Sequence, residues 1–175
     1  MAIPVNLDDL INLRTVESTR VEFKTGFNPN PIIHTICAFA NDIDNIGGGY
    51  IVIGVEEKNG SPVFPLKGVE QPEIDGILKR LVGFCHQIEP LYNPVVEPVE
   101  HQGVHLIVIW VPGGFGRPYK APRDVLAKGP SDKRYTFVNS AAPSWLRRRR
   151  SVSCSTHRAI FRLTIAPTLL RRCPT

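Results

Sequence analysis

The spacing of apolar residues divides the first 139 positions into alternating helical and extended segments. Leu7 to Leu13 is a short helical run that Asn6 can cap, with Asp8 and Asp9 in the first turn, where negative charge suits the helix dipole. From Thr19 the period changes to two. Val21 and Phe23 fall on one face and Arg20, Glu22 and Lys24 on the other, which predicts a half-buried strand. Asn28-Pro29-Asn30-Pro31 opens a helix through Ile32, Ile33, Ile36, Cys37, Phe39 and Ala40, and Pro31 suits its first turn. Gly47-Gly48-Gly49 then leads into Tyr50 to Val55, a β-branched run expected to be a central strand buried on both faces. Lys58 to Pro62 carries turn chemistry. A second helix is predicted from Pro72 to about Ile88 by the spacing of Ile74, Ile77, Leu78, Leu81 and Cys85. Val95 to Val99 and His105 to Val111 flank Gln102-Gly103 as a hairpin, and a further strand is expected at Tyr135 to Val138. This mixture predicts an α+β fold, a mixed β-sheet with flanking helices.

Charge changes that picture at one end. The 175 residues hold 21 Lys+Arg against 16 Asp+Glu, a net charge of +5. Residues 1–139 hold 13 of the cations and all 16 acids, a net of −3, whereas residues 140–175 hold eight Arg, no Lys and no acid. At the composition of the first segment, about four acids would be expected there. The basic sequence pI therefore belongs to the tail and says nothing about the body. We expect a domain over 7–139 and an Arg-rich tail over 140–175, which could be a basic arm for nucleic acid or an acidic surface, a disordered extension, or an out-of-frame translation, the last being favoured. Cys37 and Cys85 lie in apolar helical patterns and are expected to be buried, inert thiols, and no cysteine has zinc spacing. Met1 to Leu10 has no basic start or small-residue cleavage site, and no apolar run approaches the roughly 20 residues of a membrane span. A cytoplasmic protein with no membrane part, free to form homo-oligomers, is the expectation.

Two glycine clusters offer candidate chemistry. Gly47-Gly48-Gly49 precedes a strand, whereas phosphate-cradling glycine loops follow one and open a helix, so a tight turn is favoured. Gly113-Gly114-Phe115-Gly116-Arg117-Pro118-Tyr119-Lys120 combines glycines, two cations and two aromatics, which fits a phosphate or stacked base as well as a surface loop. Among the carboxylates, Glu17, Glu22 and Glu57 could serve a divalent ion, which prefers hard oxygen ligands. Glu17 and Glu22 are five apart, so on one regular strand they would point to opposite faces and converge only across a bend near Ser18. The histidines form no metal-binding cluster, and no serine-nucleophile motif occurs.

Three segments occur in an order that resembles a known family. They are Glu17-Ser18-Thr19-Arg20-Val21-Glu22-Phe23-Lys24, then Ile36-Cys37-Ala38-Phe39-Ala40-Asn41, then Gly47-Gly48-Gly49-Tyr50-Ile51-Val52-Ile53-Gly54-Val55-Glu56-Glu57. Together with Val108 to Gly114 and Arg117 to Pro122 they are similar to the Schlafen AlbA-type domain over residues 7–139. That family was formerly filed with divergent AAA ATPases and is often labelled as transcriptional regulators. The resemblance implies a mixed α/β fold and nucleic-acid binding, usually of DNA, for which Lys24, Arg117, Tyr119 and Lys120 are the expected contacts. In the nuclease branch a carboxylate trio cleaves RNA with Mg²⁺ or Mn²⁺, and the matching positions are Glu17, Glu22 and Glu57. Here Glu57 stands where that branch usually has Asp, and Asp42-Ile43-Asp44-Asn45 precedes the glycines. ATP enters only through the older family label, because the chain has no Walker motif. Family members usually continue beyond Tyr135 with acidic, helix-forming sequence, which raises the expectation of a lost frame near Asn139 or Ser140. The leading expectation is a DNA-binding module, with a metal-dependent endoribonuclease and then an ATP-binding domain as alternatives.

Overall fold

A computed structural model describes residues 3–12, 20–129 and 132–137, together with the backbone of 150–152. In chain order the elements are α1 (Leu7–Ile11), β1 (Val21–Lys24), α2 (Pro29–Asn41), β2 (Gly49–Ile53), β3 (Glu57–Lys58), β4 (Ser61–Pro62), α3 (Gln71–Cys85), β5 (Val95–His101), β6 (Val104–Val111), β7 (Lys120–Pro122), β8 (Lys133–Phe137) and β9 (Arg150–Val152). The fold is α+β, with helices flanking a mixed sheet.

The main sheet has the order β1-β2-β6-β5. β1 and β2 are parallel, joined through α2, and the other two neighbouring pairs are antiparallel. β2 is the inner strand that its β-branched run predicts. Ile51 and Ile53, in register with Ile109 and Ile107, join a core with α2 and α3. Val52, opposite Val108, packs on the other face with Leu10 and Ile11 of α1. Successive strand residues point to opposite faces, so a strand covered on both sides must be apolar throughout. Both hairpin turns use paired left-handed residues, Asn59-Gly60 and Gln102-Gly103, as two-residue connections between twisted strands require. Asn6 caps α1 as expected, its side chain accepting from the N–H of Asp8 at 2.8 Å, while Leu13 lies outside the described residues.

A second sheet, β7-β8-β9, is antiparallel and packs on the side of α2 away from the main sheet. α2 is thus enclosed between two sheets, and Ile32 through Asn41 are buried except for His34. That is why the helix is apolar nearly all round. Sequence patterning found β8 but missed β7, whose three residues are too few to show a period. β9 falls within the stretch expected as an Arg-rich tail, and the rest of 140–175 lies outside the described residues. No helix among the described residues is long and apolar enough to cross a membrane.

Candidate nucleic-acid interface

The C-terminus of α2 organises the candidate loops. Asn41, 2% exposed, closes the helix with its amide inside the second sheet. Its Nδ2 donates to the carbonyls of Tyr119 and Thr136, both at 2.9 Å, and its Oδ1 accepts from the Tyr119 N–H at 2.6 Å. Asp42 follows in a left-handed conformation, and its carboxylate accepts from the N–H groups of Ile46 and Gly47 at 3.1 and 2.9 Å. The backbone donors at the start of the glycine run thus hold a carboxylate of the chain itself. Gly48 has φ +79°, and a Cβ there would lie 1.8 Å from the Val111 carbonyl oxygen. The turn before the central strand falls at Asp42–Asn45, where the Asn45 N–H donates to the Asp42 carbonyl at 3.0 Å; Gly47 and Gly48 follow it with positive φ, and Gly49 is the first residue of β2.

Arg117 reaches this turn from the second glycine cluster. Its Nη1 donates to the carbonyl of Asp42 at 2.7 Å, to Asn45 Oδ1 at 2.9 Å and, more weakly, to the carbonyl of Asn41 at 3.4 Å. A cation at carbonyls that end a helix is favoured by both hydrogen bonding and the helix dipole. The residue remains exposed, and every hydrogen bond of its guanidinium to described residues uses Nη1. Nη1 is thus the anchored nitrogen of an otherwise exposed side chain.

The remaining expected contacts behave differently. Tyr119 is 4% exposed, meets the Tyr92 ring edge-on at 5.1 Å, and accepts from the Gly116 N–H through its hydroxyl at 3.0 Å. It packs the core between α2 and the loop, so its ring is not offered to a base. The fully exposed aromatic of that loop is Phe115. Lys120 is about one-third exposed and pairs with Glu89 at 3.1 Å. Lys133, which the sequence reading did not single out, holds the other oxygen of the same carboxylate. These hydrogen bonds, from Lys133 and then Lys120, lower the Glu89 pKa below its ordinary value. Lys24 pairs with Glu22 at 2.6 Å on β1.

Of the carboxylate trio, Glu22 is engaged by Lys24, Glu57 lies exposed on the short strand β3, and Glu17 lies outside the described residues. Among the described residues, no group of three His, Cys, Asp or Glu side chains is placed to hold a metal ion. Burial pushes the Cys37 and Cys85 thiols up to about 12, so both are inert packing groups at neutral pH.

Placing the charges on this fold reveals a division that composition hides. Residues 1–112 hold seven cations and 14 acids, a net of −7. Residues 113–137, the loop after β6 together with β7 and β8, hold six cations (Arg117, Lys120, Arg123, Lys128, Lys133 and Arg134) and only Asp124 and Asp132, a net of +4. The body is acidic except for one basic segment. Splitting the chain only at 139 averages the two away.

The Schlafen, AlbA_2 family model matches residues 17–136. No curated protein matches the chain. Among solved structures, it is similar to the N-terminal domain of a protein described as ATP-dependent DNA helicase RecG-related, from Nitrosomonas europaea. The TM-score is 0.51 at 26% identity, over 78% of this chain and 90% of that one. The DIP2311 protein from Corynebacterium diphtheriae gives a TM-score of 0.47 at 20% identity, over 79% of this chain but 23% of its own.

Proposed function

This chain belongs to the Schlafen AlbA_2 family, and we propose that it serves as a nucleic-acid-binding module, with DNA as the expected partner of a regulator. The observation that carries the reading is the net +4 of residues 113–137 against the net −7 of residues 1–112. Nucleic acid is a dense polyanion, and cations that meet its phosphates gain affinity by releasing condensed counterions. Within residues 1–137, a basic segment following an acidic one also favours approach of a polyanion from the basic segment. The similarity to a domain described as DNA helicase RecG-related supports the same partner class.

Binding is preferred to metal-dependent RNA cleavage on the carboxylate geometry. Glu22 is held by a lysine, and Glu57 stands on a short strand outside the main sheet. The test uses the full chain with its eight tail arginines changed to glutamine, so that only the domain's charge is read. Fluorescence anisotropy with labelled DNA should show affinity falling with a log–log salt slope of about −3 between about 50 and 200 mM salt. Absence of salt-dependent binding would overturn the proposal.

A further inference from the structure

Arg20 stands at the entry to β1 and is only 9% exposed, the one buried charged side chain among the described residues. Its guanidinium makes no hydrogen bond or ion pair with any described residue. A guanidinium carries a full charge and a fork of N–H donors, and covering it without an acceptor is costly, so such a group calls for an anion. Its Nη2 lies 3.9 Å from the place a Cβ on Gly47 would take, and Gly47 is exposed. A side chain at that position would reach the guanidinium, whereas glycine leaves room beside it. Tyr50, in β2, is half-buried near the same charge. Burial raises its hydroxyl above the ordinary pKa of 10.0, and the Arg20 charge opposes that rise. The hydroxyl likewise makes no hydrogen bond with a described residue. Asp42 is no counter-ion to Arg20, because its carboxylate is taken by the N–H groups of Ile46 and Gly47.

We propose that Arg20 and Tyr50, beside Gly47, form a site for a single phosphate group, carried by free phosphate or by the terminal phosphate of a nucleic-acid strand. The planar fork of a guanidinium meets two phosphate oxygens at once, which a spherical anion cannot satisfy, and the Tyr50 hydroxyl donates to a third. Size selects the kind of phosphate. A side chain so nearly covered admits a terminal tetrahedral group past a glycine, whereas an internal diester is flanked by two sugars and stays at the surface. The site is therefore separate from the basic segment 113–137, goes beyond the binding reading above and does not rest on it.

Thermal melts of the full chain in sodium phosphate and in sodium chloride, at equal pH and ionic strength, test this. The wild type should melt about 4 °C higher in phosphate once that ion exceeds its dissociation constant about tenfold. Arg20→Met should abolish the difference and, by removing a buried unpaired charge, melt no lower than the wild type in chloride. Tyr50→Phe keeps the packed ring and should shrink the difference. Fluorescence anisotropy with labelled oligothymidine, with and without a 5′-phosphate, separates the two sources. A preference for the phosphorylated strand of at least about threefold, lost in Arg20→Met, assigns the site to strand ends, and equal binding assigns it to free phosphate. Stabilisation by phosphate that is absent from the wild type, or that persists in Arg20→Met as a bulk salt effect, would overturn the proposal. So would an Arg20→Met variant that melts well below the wild type in chloride, since that marks a structural ion-pair partner. Phosphate stabilisation without binding of either oligonucleotide would remove the nucleic-acid reading and leave this site standing.

Discussion

The side-chain amide of Asn41 pairs with the backbone of Tyr119 as a neighbouring strand would, donating to its carbonyl at 2.9 Å and accepting from its N–H at 2.6 Å. A third hydrogen bond, to the Thr136 carbonyl, makes this one amide the joint between α2 and both β7 and β8. All three bonds are buried. Truncation strands the Tyr119 N–H and takes a donor from two buried carbonyls, of which that of Tyr119 keeps only the weaker Cys37 thiol at 3.3 Å, so Asn41→Ala should cost about 2–4 kcal/mol. Asn41→Asp should cost at least as much at neutral pH, because a carboxylate has no proton for either carbonyl. Urea unfolding followed by circular dichroism measures both.

Arg117 has a structural duty beside its proposed binding role. Arg117→Ala removes the donor from the Asp42 carbonyl and Asn45 Oδ1, and it removes a cation from the end of α2. We expect a loss of about 1 kcal/mol, seen as a fall of about 3 °C in the melting temperature. Arg117→Lys should recover part of the stability, because an ammonium keeps the cation and one donor centre but not the planar geometry with which Nη1 meets these acceptors.

Two glycine substitutions should move stability in opposite directions. Gly83 sits on an exposed position of α3 with nothing within 4 Å of an added Cβ, so Gly83→Ala should stabilise by about 1 kcal/mol through helix propensity. At Gly48 the new Cβ meets backbone at 1.8 Å with φ +79°. Gly48→Ala should therefore prevent the turn from forming and leave little folded protein. Thermal melts of the two variants side by side check the pair.

The buried thiols predict an alkaline dependence of stability. Cys37 and Cys85 are raised by burial from an ordinary 9.0 to about 12, so the folded chain keeps protons that the unfolded chain releases. Their contribution is complete below pH 9 and is lost as pH rises towards 12, by about 1.4 kcal/mol per pH unit for each thiol. Comparing the wild type with a Cys37→Ala, Cys85→Ala double variant between pH 8 and 10 isolates that slope. Site-resolved alkylation at pH 8 should leave both cysteines unmodified in the folded protein.

The main sheet and helices α2 and α3 were legible in the sequence because each carries a sustained period or an unbroken apolar run. The hairpin around Gln102-Gly103 was legible from its turn chemistry. β7 was not, because three residues of an Arg-Pro-Tyr-Lys-Ala-Pro segment show no period, and its place in a sheet comes from long-range pairing with β8. That omission explains the misreading of Tyr119. Taken as a loop residue it looked available to a base, but as the residue entering β7 it faces α2 and is buried. Arg117 could be named from its loop, but its anchor on Asp42 and Asn45 lies more than 70 residues away in sequence. Lys133 and Glu89 carried no motif and became significant only when the fold brought them together.

The account stands on the basic segment being the binding side of the domain. Amide chemical-shift mapping of the isotopically labelled full chain, with oligothymidine added stepwise, tests that directly. We predict progressive shifts confined to residues 113–137 and to the adjoining Glu89 and Pro90 region of the chain, with α1, β5 and the exposed side of α3 unmoved. Shifts centred on α1 or β5, or none among residues 113–137, would contradict it.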